Sequence, residues 1–440
     1  MRAAHDPRAP LRVGVAGLGT VGCGVIALLR ENADLIARRA GRAIELTAVC
    51  ARDQAASRSV DVSGLPFEAD APALAARADV DVVVEVIGGA DGPALALAQA
   101  TLAARKPLVT ANKAMLARHG MTLARTADAS DVPLKFEAAV AGGIPVIKAL
   151  REGASANRID RVYGILNGTC NFILTRMEAS VEAGHPLDFN AALGEAQALG
   201  YAEAEPSTDV DGHDAAHKLA ILSALCFGSR VDLGAVTTRG IRGVIAADIA
   251  EAKSLDHRVR LIGWAEHAGG ALAQRVEPCL VPADHPLGYV PGALNAVVAE
   301  GNFVGRLFLE GAGAGAGPTA SAVVADLIDV ARDEYGPAFA MPVDALDELP
   351  PADPRSARGK RYVRMIVADR VGVLAEIAIA MRDAGVSVES LTQRLHAEGS
   401  AMVALVTHDG AAGAVADAVE RLASSPSVLG PPMVMPILSL

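Results

Sequence analysis

LRVGVAGLGTVGCGVIALLREN, residues Leu11 to Asn32, decides the fold of the first part of the chain. Leu11 to Ala16 is an apolar run of strand length, GLGTVG follows it without a spacer, and CGVIALLREN continues as a helical pattern. Placed between strand and helix, GxGxxG has a mechanism. Gly17 permits the tight turn, Gly19 lets a pyrophosphate approach the backbone, and Gly22 lets the helix pack on the strand, with Thr20 and Val21 opening the helix toward the phosphates. The alternative, a packing turn without a ligand, explains the order of the three glycines less well.

Working outward, IELTAVC (Ile44 to Cys50) reads as the second strand, whose end selects the ribose. Arg52 there favours a 2′-phosphate and hence NADP, while Asp53 leaves NAD open. DVDVVVEVIGG (Asp79 to Gly89) is a buried strand ending in glycines, a helix follows from Pro93 to Ala104, and PLVTANKAML supplies a further strand. Lys113 stands just past its carboxyl end, where ligands of open α/β sheets collect; a solvated helix-start lysine is the plainer alternative. KFEAAVAGGIPVIKAL (Lys135 to Leu150) breaks at Gly142 and Gly143 and restarts as a helix at Pro145. The expected units are a dinucleotide-binding domain over 1–150, completed by 311–340, and an α+β substrate and dimerisation domain over 151–310. DIAEAKSLDHRVRLIGWAEHAG (Asp248 to Gly269) is expected there as one long helix. GAGAGAGPTASAVVADLIDVARD (Gly311 to Asp333) is a second glycine-rich entry to a helix, whose bare amides, Gly315 among them, can approach a cofactor.

A formal charge of −11 and a pI near 5.4 give no basic field, which argues against nucleic acid and anionic membrane as partners. The first residues lack an apolar signal core and no run approaches a membrane helix, so a cytoplasmic protein is expected. The five cysteines are scattered without a CxxC, which fits reduced thiols.

Polar residues of both signs concentrate instead in ILNGTCNFIL (Ile165 to Leu174) and LGYAEAEPSTDVDGHDAAHK (Leu199 to Lys218). From Asp214 the pattern is helical, so Asp214 and Lys218 share a face at i,i+4. Lysine is scarce: of 40 basic residues only Lys106, Lys113, Lys135, Lys148, Lys218, Lys253 and Lys360 are not arginine. A retained amine points to a place where a compact group able to lose a proton is needed, which a guanidinium cannot supply. Lys218 is the leading candidate for acid/base work, an exposed ion pair with Asp214 the bland alternative.

MPVDALDELPPADPRSARGK (341–360) is a Pro- and charge-rich connector. Beyond it, 361–440 reads as βαββαβ, the ferredoxin-like arrangement. Its unpaired sheet edges lead to an expected homodimer or homotetramer.

Taken in order, GLGTVG, VVVEVIGG, VTANKA, FEAAVAGGIPVI, ILNGTCNFIL, LGYAEAEPSTDVDGHDAAHKLAIL and GAGAGPTASAV resemble homoserine dehydrogenases of the long bacterial type, and 361–440 resembles an ACT domain. The resemblance covers nearly the whole chain. It implies reversible NAD(P)-dependent interconversion of L-homoserine and L-aspartate 4-semialdehyde, with feedback by threonine through the ACT domain. It makes Lys218 the general acid/base, Asp214 its neighbour, and Lys113 the lysine where cofactor and substrate meet. Glu203 and Asp209 would take the substrate ammonium, amides around Gly168 and Thr169 its carboxylate. Gly200 and Gly315 join the cofactor set, and a monovalent cation such as sodium would sit on the Glu137 carboxylate with the carbonyls of Val140, Gly142 and Ile144. The chain departs from many members at Cys170, where Thr or Ser is common, and at Val371, where many ACT domains have Pro; the second change loosens the expected effector loop.

Three other readings compete. Cys170 could be a thioester-forming nucleophile, His213 and His217 form an HxxxH pair with zinc-ligand spacing, and the chain could be an amino-acid sensor without catalysis. Lys113, Glu203, Asp214 and Lys218 are all present, which tells against the last.

Overall fold

The computed structural model describes residues 9–439. Residues 1–8, where no signal core is expected, and residue 440, at the end of the last expected strand, lie outside the described residues. Six short strands, β1 (Leu11–Ala16), β2 (Ile44–Cys50), β3 (Phe67–Glu68), β4 (Val82–Glu85), β5 (Leu108–Thr110) and β6 (Leu134–Lys135), form a parallel sheet in the order 3-2-1-4-5-6, the doubly wound dinucleotide-binding order. α1 (Thr20–Glu31), α2 (Ala33–Ala40), α3 (Ala71–Ala76), α4 (Pro93–Ala103) and α5 (Lys113–Ser130) connect them. The strands are apolar on both faces because helices cover both: Val82 and Val84 pack with Val25, Ile26 and Leu29 of α1, whereas Val83 packs with Leu97 and Leu102 of α4.

After α6 (Val146–Lys148), capped by Pro145 rather than containing it, a wide turn through Gly153 leads to β7 (Ile159–Ile165). α7 (Gly168–Glu182), α8 (Phe189–Ala198), α9 (Ser207–Val210) and α10 (His213–Phe227) precede β8 (Thr237–Thr238) and α11 (Ala246–Ser254). β9 (His257–Ala268), β10 (Ala271–Pro282), β11 (Leu294–Gly301) and β12 (Gly305–Ala312) complete a second six-stranded sheet in the order β12-β11-β7-β9-β10-β8. Asp248–Gly269 is therefore not one helix. Asp256 takes a left-handed φ of 57° and ends α11, and the run after it alternates with period two. Val259, Leu261 and Ala265 join the main core while Ile262 and Trp264 join a separate cluster with Tyr163, Val281 and Val298.

Gly311 and Ala312 still belong to β12, so the glycine-rich entry is shorter than expected, and α12 (Ala316–Ala331) starts after Gly315. α12 returns to the first sheet: Ala320, Val323, Leu327 and Val330 enter the cluster of β1, β4 and α1. Residues 343–346 pack inward through Val343 and Leu346. β13 (Arg358–Gly359) pairs with β17 (Gly410–Ala411), and β14 (Arg361–Ala368), α13 (Val373–Asp383), β15 (Val388–Ala397), β16 (Ser400–Thr407), α14 (Ala412–Ala423) and β18 (Met433–Pro436) make the expected ferredoxin-like unit, sheet order β15-β16-β14-β18. No helix among the described residues is long and apolar enough to cross a membrane.

Candidate active site

The glycine loop closes at the carboxyl ends of the parallel strands. Gly17 has φ 100°, and a Cβ on it would lie 2.4 Å from the Val86 carbonyl oxygen; one on Gly22 would lie 1.8 Å from the Gly17 carbonyl oxygen. Both positions exclude any side chain. Gly19, by contrast, faces open space and caps α1, with Thr20 and Val21 in the first turn, so backbone amides are accessible where a phosphate would arrive. Arg52 and Asp53 are exposed just past β2. Across the loop, the buried Glu85 accepts from the amides of Ile87 (2.8 Å) and Gly88 (3.2 Å) and from the Thr110 hydroxyl (2.6 Å). It fixes the turn after β4, and burial raises its carboxyl above the ordinary value.

Asn112 caps α5, accepting from the Met115 amide at 3.0 Å and donating to the Gly89 carbonyl at 2.7 Å, and this sets Lys113 at the helix start facing the second sheet. There it meets Asp214, Nζ to Oδ1 3.0 Å. Asp214 is 4% exposed and Lys218, one turn on in α10, 7%. Lys218 Nζ donates to Asp214 Oδ2 at 2.7 Å and to the Leu166 carbonyl at 2.8 Å. An ammonium has three protons to donate, so one remains for a ligand hydroxyl or carbonyl. Asn167 caps α7 through Cys170 N (2.7 Å) and spends its amide N–H groups on Asp209 Oδ1 (2.7 Å) and Asp214 Oδ2 (2.9 Å). Thr169 Oγ1 reaches the Tyr201 carbonyl (2.7 Å) and Asp209 Oδ2 (3.2 Å).

The electrostatics follow from this array. Burial works against the Asp214 charge, yet Lys218, Lys113 and the Asn167 amide outweigh it and hold the carboxyl well below the usual range. The Asp214 charge raises Lys113 against its desolvation, so the amine stays charged. Asp209 is raised, first by burial and then by Asp214. The result is an alternating acid–base cluster that Lys113 joins from α5 and Lys218 from α10.

Gly168 opens α7 beneath the Ala293 carbonyl, next to Thr169. Glu203 is exposed at the rim, close enough to help raise Lys113. Gly200, with φ 77°, ends the α8 turn just before Tyr201. Gly315 caps α12. Glu137, Val140, Gly142 and Ile144 lie where β6 hands over to α6, with Gly142 against the Gly313 carbonyl: Glu137 accepts from the amides of Ile147 (2.9 Å) and Lys148 (2.8 Å), and burial together with Asp326 lifts its carboxyl to about 7. Among the described residues no ammonium or guanidinium pairs with it directly, and a carboxylate and backbone carbonyls are oxygen donors of the hard kind that a monovalent cation takes. Cys170 is buried, its Sγ donates to the Asp209 carbonyl (3.2 Å), and burial followed by the nearby aspartates keeps the thiol protonated, which opposes a nucleophilic role. His213 is exposed and His217 half-buried, its imidazole shifted down by burial.

Asn167 and Glu85 are functional positions that sequence patterns mark only weakly. Asn167 precedes a helix start, an N-cap signal, and Glu85 is a lone acid inside an apolar strand.

A doubly wound sheet with a glycine-loop phosphate cradle, facing a lysine–aspartate pair on a second domain, defines a nicotinamide-nucleotide-dependent oxidoreductase. Residues 17–137 match the family model "Homoserine dehydrogenase, NAD binding domain", 145–328 "Homoserine dehydrogenase" and 361–426 "ACT domain". The chain is 42% identical over 430 residues to the homoserine dehydrogenase of Pseudomonas aeruginosa (96% of this chain, 97% of the relative) and 40% over 427 residues to that of Corynebacterium glutamicum (96% and 94%). The crystal structure of a homoserine dehydrogenase from Thiobacillus denitrificans superposes with a TM-score of 0.91 at 39% identity, covering 98% of this chain and 99% of the other. A hyperthermophilic archaeal homoserine dehydrogenase in complex with NADPH is similar at 25% identity and a TM-score of 0.62, over 75% of this chain and 100% of that one. The chain belongs to the homoserine dehydrogenase family.

Proposed function

We propose that the protein interconverts L-homoserine and L-aspartate 4-semialdehyde with a nicotinamide cofactor, NADP in preference to NAD, and that Lys218 is the general acid/base. The observation that carries this is the Lys218–Asp214–Lys113 array, because it joins a buried amine of α10 to the start of α5, just past the carboxyl end of β5 in the nucleotide-binding sheet. When bound, the nicotinamide supplies or accepts the hydride. Lys218 as the neutral amine accepts the hydroxyl proton in oxidation and becomes the ammonium, which returns that proton to the alkoxide oxygen in reduction, while Asp214, held ionised by its lysine neighbours and the Asn167 amide, fixes the Lys218 rotamer. Glu203 and Asp209 take the substrate ammonium, and the amides of Gly168 and Thr169 at the start of α7 take its carboxylate. Arg52 selects the 2′-phosphate, and Gly17 to Gly22, Gly200 and Gly315 line the cofactor.

The proposed units are 1–150 with 311–340 for the cofactor, 151–310 for substrate and dimerisation, and 361–440 for regulation, joined by 341–360. Glu137 with the carbonyls of Val140, Gly142 and Ile144 would hold a sodium-like cation that fixes the crossing between the first two. Threonine is the proposed effector, a homodimer or homotetramer the proposed assembly, and the cytoplasm the proposed location. The test is NADPH oxidation with aspartate semialdehyde: Lys218→Ala should lose roughly 10²–10⁴ in turnover with little change in cofactor affinity. Unchanged turnover would remove Lys218 from the chemistry.

A further inference from the structure

Between the second sheet and the ACT unit lies a cavity of about 110 Å³, lined by Arg161, Trp264, Glu266, Arg275, Glu277 and Arg361 among others. Through several of the same residues it adjoins a cleft of about 640 Å³ bordered by α14. Two buried donors here lack the partner that their chemistry requires. Arg361 is 9% exposed, yet its guanidinium donates only to the carbonyls of Lys360 (3.2 Å) and Ala357 (3.3 Å); Glu277 acts on it from across the cavity, but no carboxylate among the described residues comes within ion-pair distance of it. The other arginines are engaged: Arg161 with Glu300, Arg239 with Glu277 at 2.8 Å, and Arg275 with Glu277 at 3.5 Å. Trp264, the single tryptophan of the chain, is 7% exposed, and its indole N–H has no acceptor among the described residues. The Arg161 and Arg275 guanidinium carbons lie 5.6 and 5.2 Å from its ring centroid, which fixes the ring and adds positive charge.

A buried donor without an acceptor is costly, and a buried guanidinium without a counter-charge more so. A carboxylate would satisfy both groups. Glu266, whose one ion pair among the described residues is a long 3.8 Å contact with Arg275, is left to receive an ammonium. The cavity is small and polar and opens onto the cleft beside α14.

We propose that this seam binds a small zwitterionic amino acid, its carboxylate held by Arg361 and the Trp264 N–H and its ammonium by Glu266, and that occupancy ties the ACT unit to the substrate sheet. This rests on the regulatory reading of the ACT unit and gives it a place. β9 and β10 carry the seam and pack against α10, so a ligand held there acts on the helix that bears Asp214 and Lys218.

Because the cavity contains the only tryptophan, intrinsic fluorescence reports on it directly. The full-length protein is titrated with L-threonine, following fluorescence and NADPH oxidation together, with threoninol, which lacks the carboxylate, as comparison. The expected result is a saturable fluorescence change at the concentrations that inhibit, none with threoninol, and a roughly tenfold or greater loss of threonine affinity in Arg361→Met. Trp264→Phe, which keeps a ring and removes the N–H, should weaken inhibition while basal turnover stays within about twofold. Inhibition without a fluorescence change, undiminished inhibition of either variant, or an equal response to threoninol would refute the seam site and leave the regulatory reading standing. Absence of both inhibition and fluorescence change in the unmodified protein would end both.

Discussion

Asp214 is the residue on which the site turns, because it receives two ammonium groups and an amide in a space that excludes water. Replacing it by Asn strands Lys113 and Lys218 beside each other, and breaking a buried pair in this way costs about 3–5 kcal/mol, toward the lower end here because Lys113 is partly exposed. Urea unfolding of Asp214→Asn at pH 7 should show that loss, together with a turnover at least tenfold lower. The unfolded carboxyl titrates near about 4 and the folded one below it, so its stabilisation is complete above about pH 4 and fades as pH falls through the depressed value. Acidification from pH 7 to 3 should therefore cost the unmodified protein more than the variant; parallel curves would contradict the array. Asp209 runs the opposite way. Its raised carboxyl makes the ionised form a burden on the fold at neutral pH, relieved as pH falls toward that raised value. Asp209→Asn should raise the melting temperature at pH 7 and raise KM for homoserine; a fall in melting temperature would show that its bonds to Asn167 and Thr169 matter more. Lysine scarcity made part of this legible: besides Lys113 and Lys218, Lys135 and Lys148 are anchored on Asp329, at 3.3 and 2.7 Å. The same signal could not separate chemistry from architecture, since a compact buried amine serves both.

At the level of elements, the first helix and its loop were readable because glycine is obligatory there. Gly22→Ala places a methyl against the Gly17 carbonyl, so the loop must open. NADPH affinity, measured by fluorescence titration, should fall by an order of magnitude or more while the second domain keeps its fold; unaltered affinity would mean that the cofactor lies elsewhere. The α11–β9 boundary was not readable. Both faces of β9 are covered from Val259 to Ala265, so its apolar residues continue the pattern of α11 past Asp256, whose left-handed turn carries no glycine to announce it. Asn167 was hidden in another way: an N-cap is a common local device, and only the fold brings Asp209 and Asp214 to its amide. Asn167→Ala should cost about 1–2 kcal/mol as a lost cap and lower kcat/KM for homoserine far more than for cofactor.

Across the whole molecule, two buried carboxylates of α11 fasten the ACT unit to the substrate domain, Glu251, which receives Arg394 Nε at 3.2 Å, and Asp248. Asp248 caps α11 at Ile245 N (3.0 Å) and receives Tyr362 Oη (3.0 Å) and Arg364 Nε (3.1 Å) from β14. Asp248→Ala leaves a buried guanidinium unmatched and should cost about 3–5 kcal/mol, with earlier proteolysis near the 341–360 connector; an unchanged cleavage pattern would mean that other contacts hold the units together. A final consequence comes from α12, which is encoded after the second domain yet packs beside α1 against β1 and β4. As the chain leaves the ribosome, the nucleotide-binding half cannot finish until some 330 residues have been made, so the intervening half must fold as an insertion while its host waits open. A fragment ending near residue 150 should expose the valines that α12 covers and bind a hydrophobic dye, and a synthetic peptide of α12 should quench that binding.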